Sequence, residues 1–177
     1  VLNEAKRLIK ENHDKDIVFE KIPLNDKKVF KMINGGRTKG LFKINTAFTT
    51  KICQEIGIEK FDNLAAALAL ARPGPTDSGM TDLYIDRKNG GRWRKRSKEF
   101  EKITKDTFGV IVYQEQVMAT LRRLAGLTYT EADKIRKIIA KKIKEIQKNP
   151  LGYKFLRKPL HGFNRVHIDK HFVLVFE

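Results

Sequence analysis

Five lysines, Lys134, Lys137, Lys141, Lys144 and Lys148, recur at alternating three- and four-residue steps. On an α-helix that spacing stacks them along one face. A row of this kind can hold several phosphate oxygens at once, and Arg136 stands at its edge. Ile135, Ile138, Ile139, Ile143 and Ile146 recur on roughly the opposite side, which therefore wants a core. Two readings of the row stay open: a polyanion site or a solvated helix face. Like charges at such spacing also repel one another. A regular helix puts Lys142 among the isoleucines, so the helix is expected to bend or end near Ala140, or Lys142 to snorkel.

Other residues invite chemistry more weakly. Arg92-Trp93-Arg94-Lys95-Arg96-Ser97-Lys98 is the densest basic run and holds the only tryptophan. Cations interleaved with an aromatic suit phosphate contact plus base stacking; a solvated loop with Trp93 packed back on the body is the alternative. Asp82 and Asp86 form a carboxylate pair at helical spacing. His161, His167 and His171 with Asp169 suggest a metal, but spacings of six and four without a cysteine are poor ligand geometry, and no metal site is assigned. Cys53 is the single cysteine, so no intrachain disulfide forms and a reducing, cytoplasmic setting is expected. It reads as a small half-buried helix residue with no histidine nearby to activate it.

The elements that must position these groups are mostly helical. A helix start is expected at Thr130, three residues before Asp133. Upstream, helices are predicted over residues 1–12, 27–34 (capped by Asn25 or Asp26), 46–56, 61–71, 80–88 and 114–126. Gly35-Gly36, Gly57, Asn89-Gly90-Gly91 and Gly126 supply the stops. The Ala/Leu-rich segment 61–71 is apolar nearly all round and is expected to be buried. Residues 17–19, 40–44 and 110–113 read as short strands, and 172–176 as a strand or a truncated helix. Arg72-Pro73-Gly74-Pro75 ends its helix, because proline fixes φ and lacks the N–H. The loop that follows, to Gly79, could hold Arg72 in a fixed place.

Bulk composition narrows the partners. The 177 residues suit one domain or two small ones, and 41% hydrophobic content supports a core. Lys and Arg outnumber Asp and Glu by 37 to 21, a net charge of +16 that favours nucleic acid, nucleotide phosphates or an anionic surface. No apolar run is long enough to cross a bilayer, and the N-terminus lacks the shape of a signal peptide. The chain begins at Val1 rather than Met, so it reads as a piece of something longer.

Three segments, LARPGPTDSGMTDLYIDRK (70–88), TFGVIVYQEQVM (107–118) and EADKIRKIIAKK (131–142), resemble in the same order segments of the C-family replicative DNA polymerases, the bacterial polymerase III alpha subunits. IPLNDKKVF (22–30) and KGLFKIN (39–45) resemble the stretch upstream of them, and GFNRVH (162–167) one downstream. The motifs look like the widespread form, not the form with a built-in exonuclease. The resemblance implies a mainly α fold with a few short β-strands (α+β), the fingers with the edge of the palm. It divides the chain into a palm-edge segment (1–45), helical fingers (46–148) and a divergent end of the fingers (149–177). It implies a share in DNA-directed DNA synthesis: dNTP and primer-template as ligands, Mg²⁺ as cofactor, and the rest of the polymerase and the replisome as partners.

Carried over motif by motif, Arg72, Arg136, Lys137, Lys141, Lys142, Asn164, Arg165 and His167 would bind the nucleotide. Several cations on one rigid element would then meet the triphosphate charge. Arg87, Lys88, Arg92, Trp93, Arg94 and Arg96 would contact DNA. Some positions depart from the family pattern. Lys137 stands for an arginine, losing the bidentate fork. Ala140 stands for glycine and Ile143 for a third lysine; Lys43 and Asn45 replace glutamine and glutamate. The interval 143–160 is shortened, and Ile168, Asp169 and Lys170 stand where small residues are expected. The family's three metal-binding aspartates lie upstream of the stretch that this chain resembles. No catalytic residue is therefore assigned here, Mg²⁺ ligands are placed outside the chain, and the isolated chain is expected to be inactive. Two alternatives differ in class: a stand-alone protein that binds DNA or a replisome partner without catalysis, and a nuclease built on Asp82, Asp86 and the histidines.

Overall fold

A computed structural model describes residues 1–95, 97–149, 152, 153, 156, 163–168 and 173–176. The chain is mainly α-helical with one short two-stranded antiparallel sheet. It separates into two compact units, Val1–Pro73 and Gly74–Glu177.

In the first unit, α1 (Leu2–His13) buries none of its residues. The chain then makes a 3₁₀ turn at Phe19–Lys21 and enters α2 (Lys27–Asn34), α3 (Ala47–Ile56) and α4 (Phe61–Leu70). Asp26 caps α2 by accepting from Lys28 N at 2.7 Å, and Thr46 caps α3 by accepting from Thr49 N at 3.2 Å. Each side chain satisfies an N–H that the first turn leaves unpaired. The core gathers Phe30 and Ile33 of α2, Ile52, Cys53 and Ile56 of α3, and Ala66, Ala67 and Leu70 of α4. Asn34 ties α2 to the α3–α4 link like a strand partner. Its Oδ1 accepts from Ile58 N at 2.7 Å and its Nδ2 donates to Ile58 O at 2.9 Å.

The second unit holds α5 (Pro73–Asp77, which starts on the last residue of the first unit), α6 (Met80–Lys88), α7 (Lys98–Thr104), α8 (Gln114–Ala125) and α9 (Tyr129–Lys148). Helix α8 packs on both α7 and α9. Strands β1 (Asn164–His167) and β2 (Val173–Phe176) pair with Asn164 opposite Phe176 and His167 opposite Val173. Asn164, Val166 and Ile168 point into the core while Arg165 and His167 face out, the period-2 alternation of a half-buried strand.

Several expectations need correction. Residues 17–19 form no strand; Val18 is extended, but its carbonyl accepts from Lys21 N at 3.0 Å in the following turn. Residues 40–44 are turns, because Gly40 (φ 83°) and Lys43 (φ 63°) take left-handed conformations that an extended strand excludes. Residues 110–113 are not a strand either: the N–H groups of Val112 and Tyr113 bond to a side chain, not to a neighbouring strand. The Pro-Gly-Pro segment opens a helical turn, since proline at the first helical position needs no N–H and already has a helical φ. Helix α4 buries one face only, with Phe61 46% exposed. Cys53 is fully rather than half buried, and burial pushes its thiol pKa up, which keeps it inert. The terminal apolar run supplies β2.

Candidate functional site

Helix α9 carries the lysine row, and its start differs from expectation. Thr128, not Thr130, is the cap. Its Oγ1 accepts from Glu131 N at 3.3 Å, and Glu131 reaches back to Thr128 N at 2.9 Å. Thr128 Oγ1 also donates to Glu131 Oε2 at 2.6 Å, and this bond first, with that from Thr128 N, holds the Glu131 carboxyl below its ordinary value of 4.5. The helix then runs unbroken through Ala140 to Lys148, so it does not end where Lys142 intrudes. Lys142 is instead accommodated by a partner one turn on: its ammonium donates to Glu145 Oε2 at 2.6 Å, and the side chain stays 29% exposed. That pairing raises the Lys142 pKa and lowers that of Glu145. The isoleucine face grips only near its start. Ile135 is buried, Ile138, Ile139 and Ile146 are half-buried, and Ile143 is 43% exposed.

The cations expected on phosphate divide into paired and unpaired groups. Arg136 is turned into the α8–α9 contact. Its Nε and Nη2 donate to Asp133 Oδ1 at 3.0 and 2.8 Å, and its Nη1 to Gln114 Oε1 at 3.1 Å. Lys137 pairs with the other Asp133 oxygen at 2.7 Å. These two partners hold the Asp133 carboxyl below its ordinary value, the Lys137 hydrogen bond contributing most. Lys141 is exposed and makes no ion pair or hydrogen bond among the described residues. Arg136, Gln114, Arg122, Tyr129 and Asp133 line a cleft of about 360 Å³ between α8 and the start of α9. Arg122 lies 5.9 Å over the Tyr129 ring.

Arg72 is exposed at the end of α4, in the first unit. In β1, Arg165 and His167 are exposed, whereas Asn164 is only 8% exposed and its Oδ1 has no hydrogen-bond partner among the described residues.

The residues expected on DNA also divide. Arg87 is partly buried: its Nη1 donates to the carbonyls of Gly109 at 2.9 Å and Phe108 at 3.4 Å, and its guanidinium lies 5.5 Å over the Trp93 ring. Lys88 is half-buried, Arg92 and Arg94 are exposed, and Arg96 lies outside the described residues. Of the proposed metal group, His161, Asp169 and His171 also lie outside them. No group of three or more His, Cys, Asp or Glu side chains that could hold a metal occurs among the described residues. Asp82 and Asp86 are exposed on α6, and Asp86 lies directly against Gly91.

Sequence reasoning passed over Gln116, which organises this half of the unit. Its Oε1 accepts from Val112 N at 2.8 Å and Tyr113 N at 3.0 Å, and its Nε2 donates to Thr107 Oγ1 at 2.8 Å and Ile103 O at 3.2 Å. The signal was present: Gln116 is the third residue of α8, where a Gln side chain can reach back to the preceding backbone. By fixing the chain just before α8, it sets where Gln114 meets Arg136.

The model of the finger domain of the bacterial DNA polymerase III alpha subunit matches residues 1–154. Among curated proteins, the DNA polymerase III subunit alpha of Aquifex aeolicus is 45% identical over 142 residues, covering 80% of this chain and 12% of that protein. That of Campylobacter jejuni is 42% identical over 153 residues, covering 84% and 12%. That of Yersinia pestis is 37% identical over 187 residues, covering 97% and 16%. The chain thus spans about an eighth of the length of the first two relatives. No helix among the described residues is long and apolar enough to cross a membrane.

Proposed function

The chain belongs to the finger-domain family of bacterial DNA polymerase III alpha subunits, and from that premise we propose that it binds the incoming dNTP and the primer-template in a DNA-directed DNA polymerase. The reaction would add dNMP from dNTP to a primer 3′ end. The observation that supports this most is the exposed cationic face of α9, five lysines long, on a helix whose start is capped by Thr128 and Glu131. A triphosphate needs several donors on one rigid element, already in place before charge develops.

The pairing within α9 suits such a role. Asp133 and Glu145 offset repulsion among the cations while the site is empty, each like-charge contact costing about 0.2–0.5 kcal/mol. Exposed ion pairs are themselves worth only about 0–1 kcal/mol. Lys137 can therefore leave Asp133 for a phosphate oxygen at little cost. Lys141 has no pair to give up among the described residues. Arg136, held from two sides, would present a fixed edge of its guanidinium at the α8–α9 cleft. The Mg²⁺ of the complete enzyme would be held by carboxylates outside residues 1–177; the described residues include no group of three or more His, Cys, Asp or Glu that could hold it.

The test is Lys141→Ala in the complete polymerase. The expected result is a rise in KM for dNTP of roughly tenfold, the scale of one lost charged hydrogen bond, with primer-template Kd nearly unchanged. Equal losses in both would reduce the lysine face to a DNA-facing surface. Primer extension by the 177-residue chain alone would overturn the placement of the metal-binding carboxylates elsewhere.

A further inference from the structure

Local costs concentrate around Trp93, which lies in the connector between α6 and α7. Trp93 lines a cavity of about 420 Å³ together with Lys95, Glu101, Lys102, Lys105 and Gly109. The indole Nε1–H is buried without an acceptor among the described residues, and so is the Nε of Arg87, the cation packed on the Trp93 ring. Beside them Phe108 is a non-glycine residue at φ 54°. It is held there by the Arg87 bond to its carbonyl and by edge-on packing against Tyr84, with ring centres 5.4 Å apart. The next residue, Gly109 at φ 75°, must lack a side chain, because a Cβ would come within 2.8 Å of Trp93 Nε1. Trp93 and Gly109 form one wall of the cavity, and the second orphaned donor, on Arg87, and the left-handed Phe108 adjoin that wall from behind. Sites that break local rules in this way are where binding is expected.

We propose that the Trp93 cavity is a docking site for single-stranded nucleic acid, taking one unpaired nucleobase against the indole with the flanking phosphates on Lys95 and Lys105. The cavity falls in the size range of small-ligand sites. Lys102 is already paired with Glu99 at 2.9 Å, whereas Lys95 and Lys105 make no ion pair among the described residues. Exposed Arg92 and Arg94 extend the cationic surface around them. An aromatic wall with a cationic rim is the arrangement that holds single strands, because every base has a π-face to stack. A base within a duplex is already stacked and paired, so this cavity selects unpaired template. The site divides the work: Arg87 backs the indole, and Trp93, Lys95 and Lys105 meet the strand. It rests on the finger-domain reading for the source of its strand, but not on the nucleotide role of α9.

The test uses the complete polymerase and a primer-template whose 5′ template overhang carries one 5-iododeoxyuridine, moved position by position. Irradiation is expected to crosslink an overhang position to Trp93, and not the same base once it is paired. The double variant Lys95→Ala/Lys105→Ala is expected to weaken overhang-dependent binding and to lower its log–log salt slope by about 1.4, two single-strand phosphate contacts. Binding of blunt duplex and KM for dNTP should not change. Trp93→Leu should cost roughly five- to 150-fold in overhang binding, the range for one lost base stack. If no overhang position reaches Trp93, or if the lysine variant weakens blunt duplex as much as overhang, the proposal is overturned. The expected rise in KM for dNTP on Lys141→Ala alongside that failure would leave the nucleotide reading standing.

Discussion

Replacing Gln116 by leucine removes four hydrogen bonds from one buried side chain at nearly constant volume, and the structure sets the size of the loss. Thr107 Oγ1 keeps its bond to Val110 O at 2.6 Å, so it is not orphaned. Val112 N, Tyr113 N and Ile103 O lose the partner that Gln116 supplies. A buried polar group left unpaired costs about 1–3 kcal/mol. These three residues are half-buried, and water will reach some of the atoms, so the low end applies and the sum is about 3 kcal/mol. For a urea m-value of about 2 kcal/mol per molar, the unfolding midpoint should fall by about 1.5 M. Far-UV circular dichroism of the chain across a urea series reads this directly. Gln116→Glu is the companion variant. It keeps acceptor oxygens for both N–H groups but faces Ile103 O with a carboxylate. Burial should raise the pKa of that carboxyl above its unfolded value. The variant should therefore recover stability relative to wild type as pH falls and lose it as pH rises through the raised value. A Gln116→Leu midpoint within about 0.3 M of wild type would refute the reasoning that this side chain, rather than apolar packing, holds residues 103–113 against α8.

Gly109→Ala combines a left-handed backbone, costing about 1–2 kcal/mol for a side chain, with a Cβ 2.8 Å from Trp93 Nε1. A loss of at least 2 kcal/mol by chemical denaturation is expected, with a change in Trp93 fluorescence; a neutral result would mean that the cavity wall is soft. Thr128→Ala should cost about 1 kcal/mol by the same method, while Thr130→Ala should cost little, reversing the order expected from sequence. Because the folded Glu131 pKa is lowered, its contribution is present above about pH 4.5 and fades as pH falls through the folded value. Wild type should therefore lose helix signal over that range, and Thr128→Ala should lose less.

Helices were legible because their punctuation is local. Thr46, Gly57 and Gly126 act within a turn of where they stand, and sequence places each of them; it narrows the cap of α2 to Asn25 or Asp26, of which the structure uses Asp26. The short strands predicted at 17–19, 40–44 and 110–113 failed because a strand needs a partner that lies elsewhere. Alternation in sequence cannot tell pairing from an extended segment satisfied by a side chain, as Gln116 satisfies Val112 and Tyr113. The cap of α9 was misplaced by two residues because Thr128 and Thr130 both have an acidic residue three positions on. The structure chooses Thr128, whose Oγ1 accepts from Glu131 N while Glu131 reaches back to Thr128 N.

The sequence by itself determined the family, the helical class and the lysine periodicity of α9, since order of motifs, propensity and spacing are properties of neighbours along the chain. Only the tertiary structure decided which cations remain available. Arg136 is drawn to Gln114, 22 residues away, and Arg87 to carbonyls 21 and 22 residues away, while Lys141 keeps its charge unpaired among the described residues. The physical reason is that a guanidinium or ammonium takes whichever acceptor folding brings within about 3 Å, and that distance is set by the packing of helices rather than by spacing in sequence.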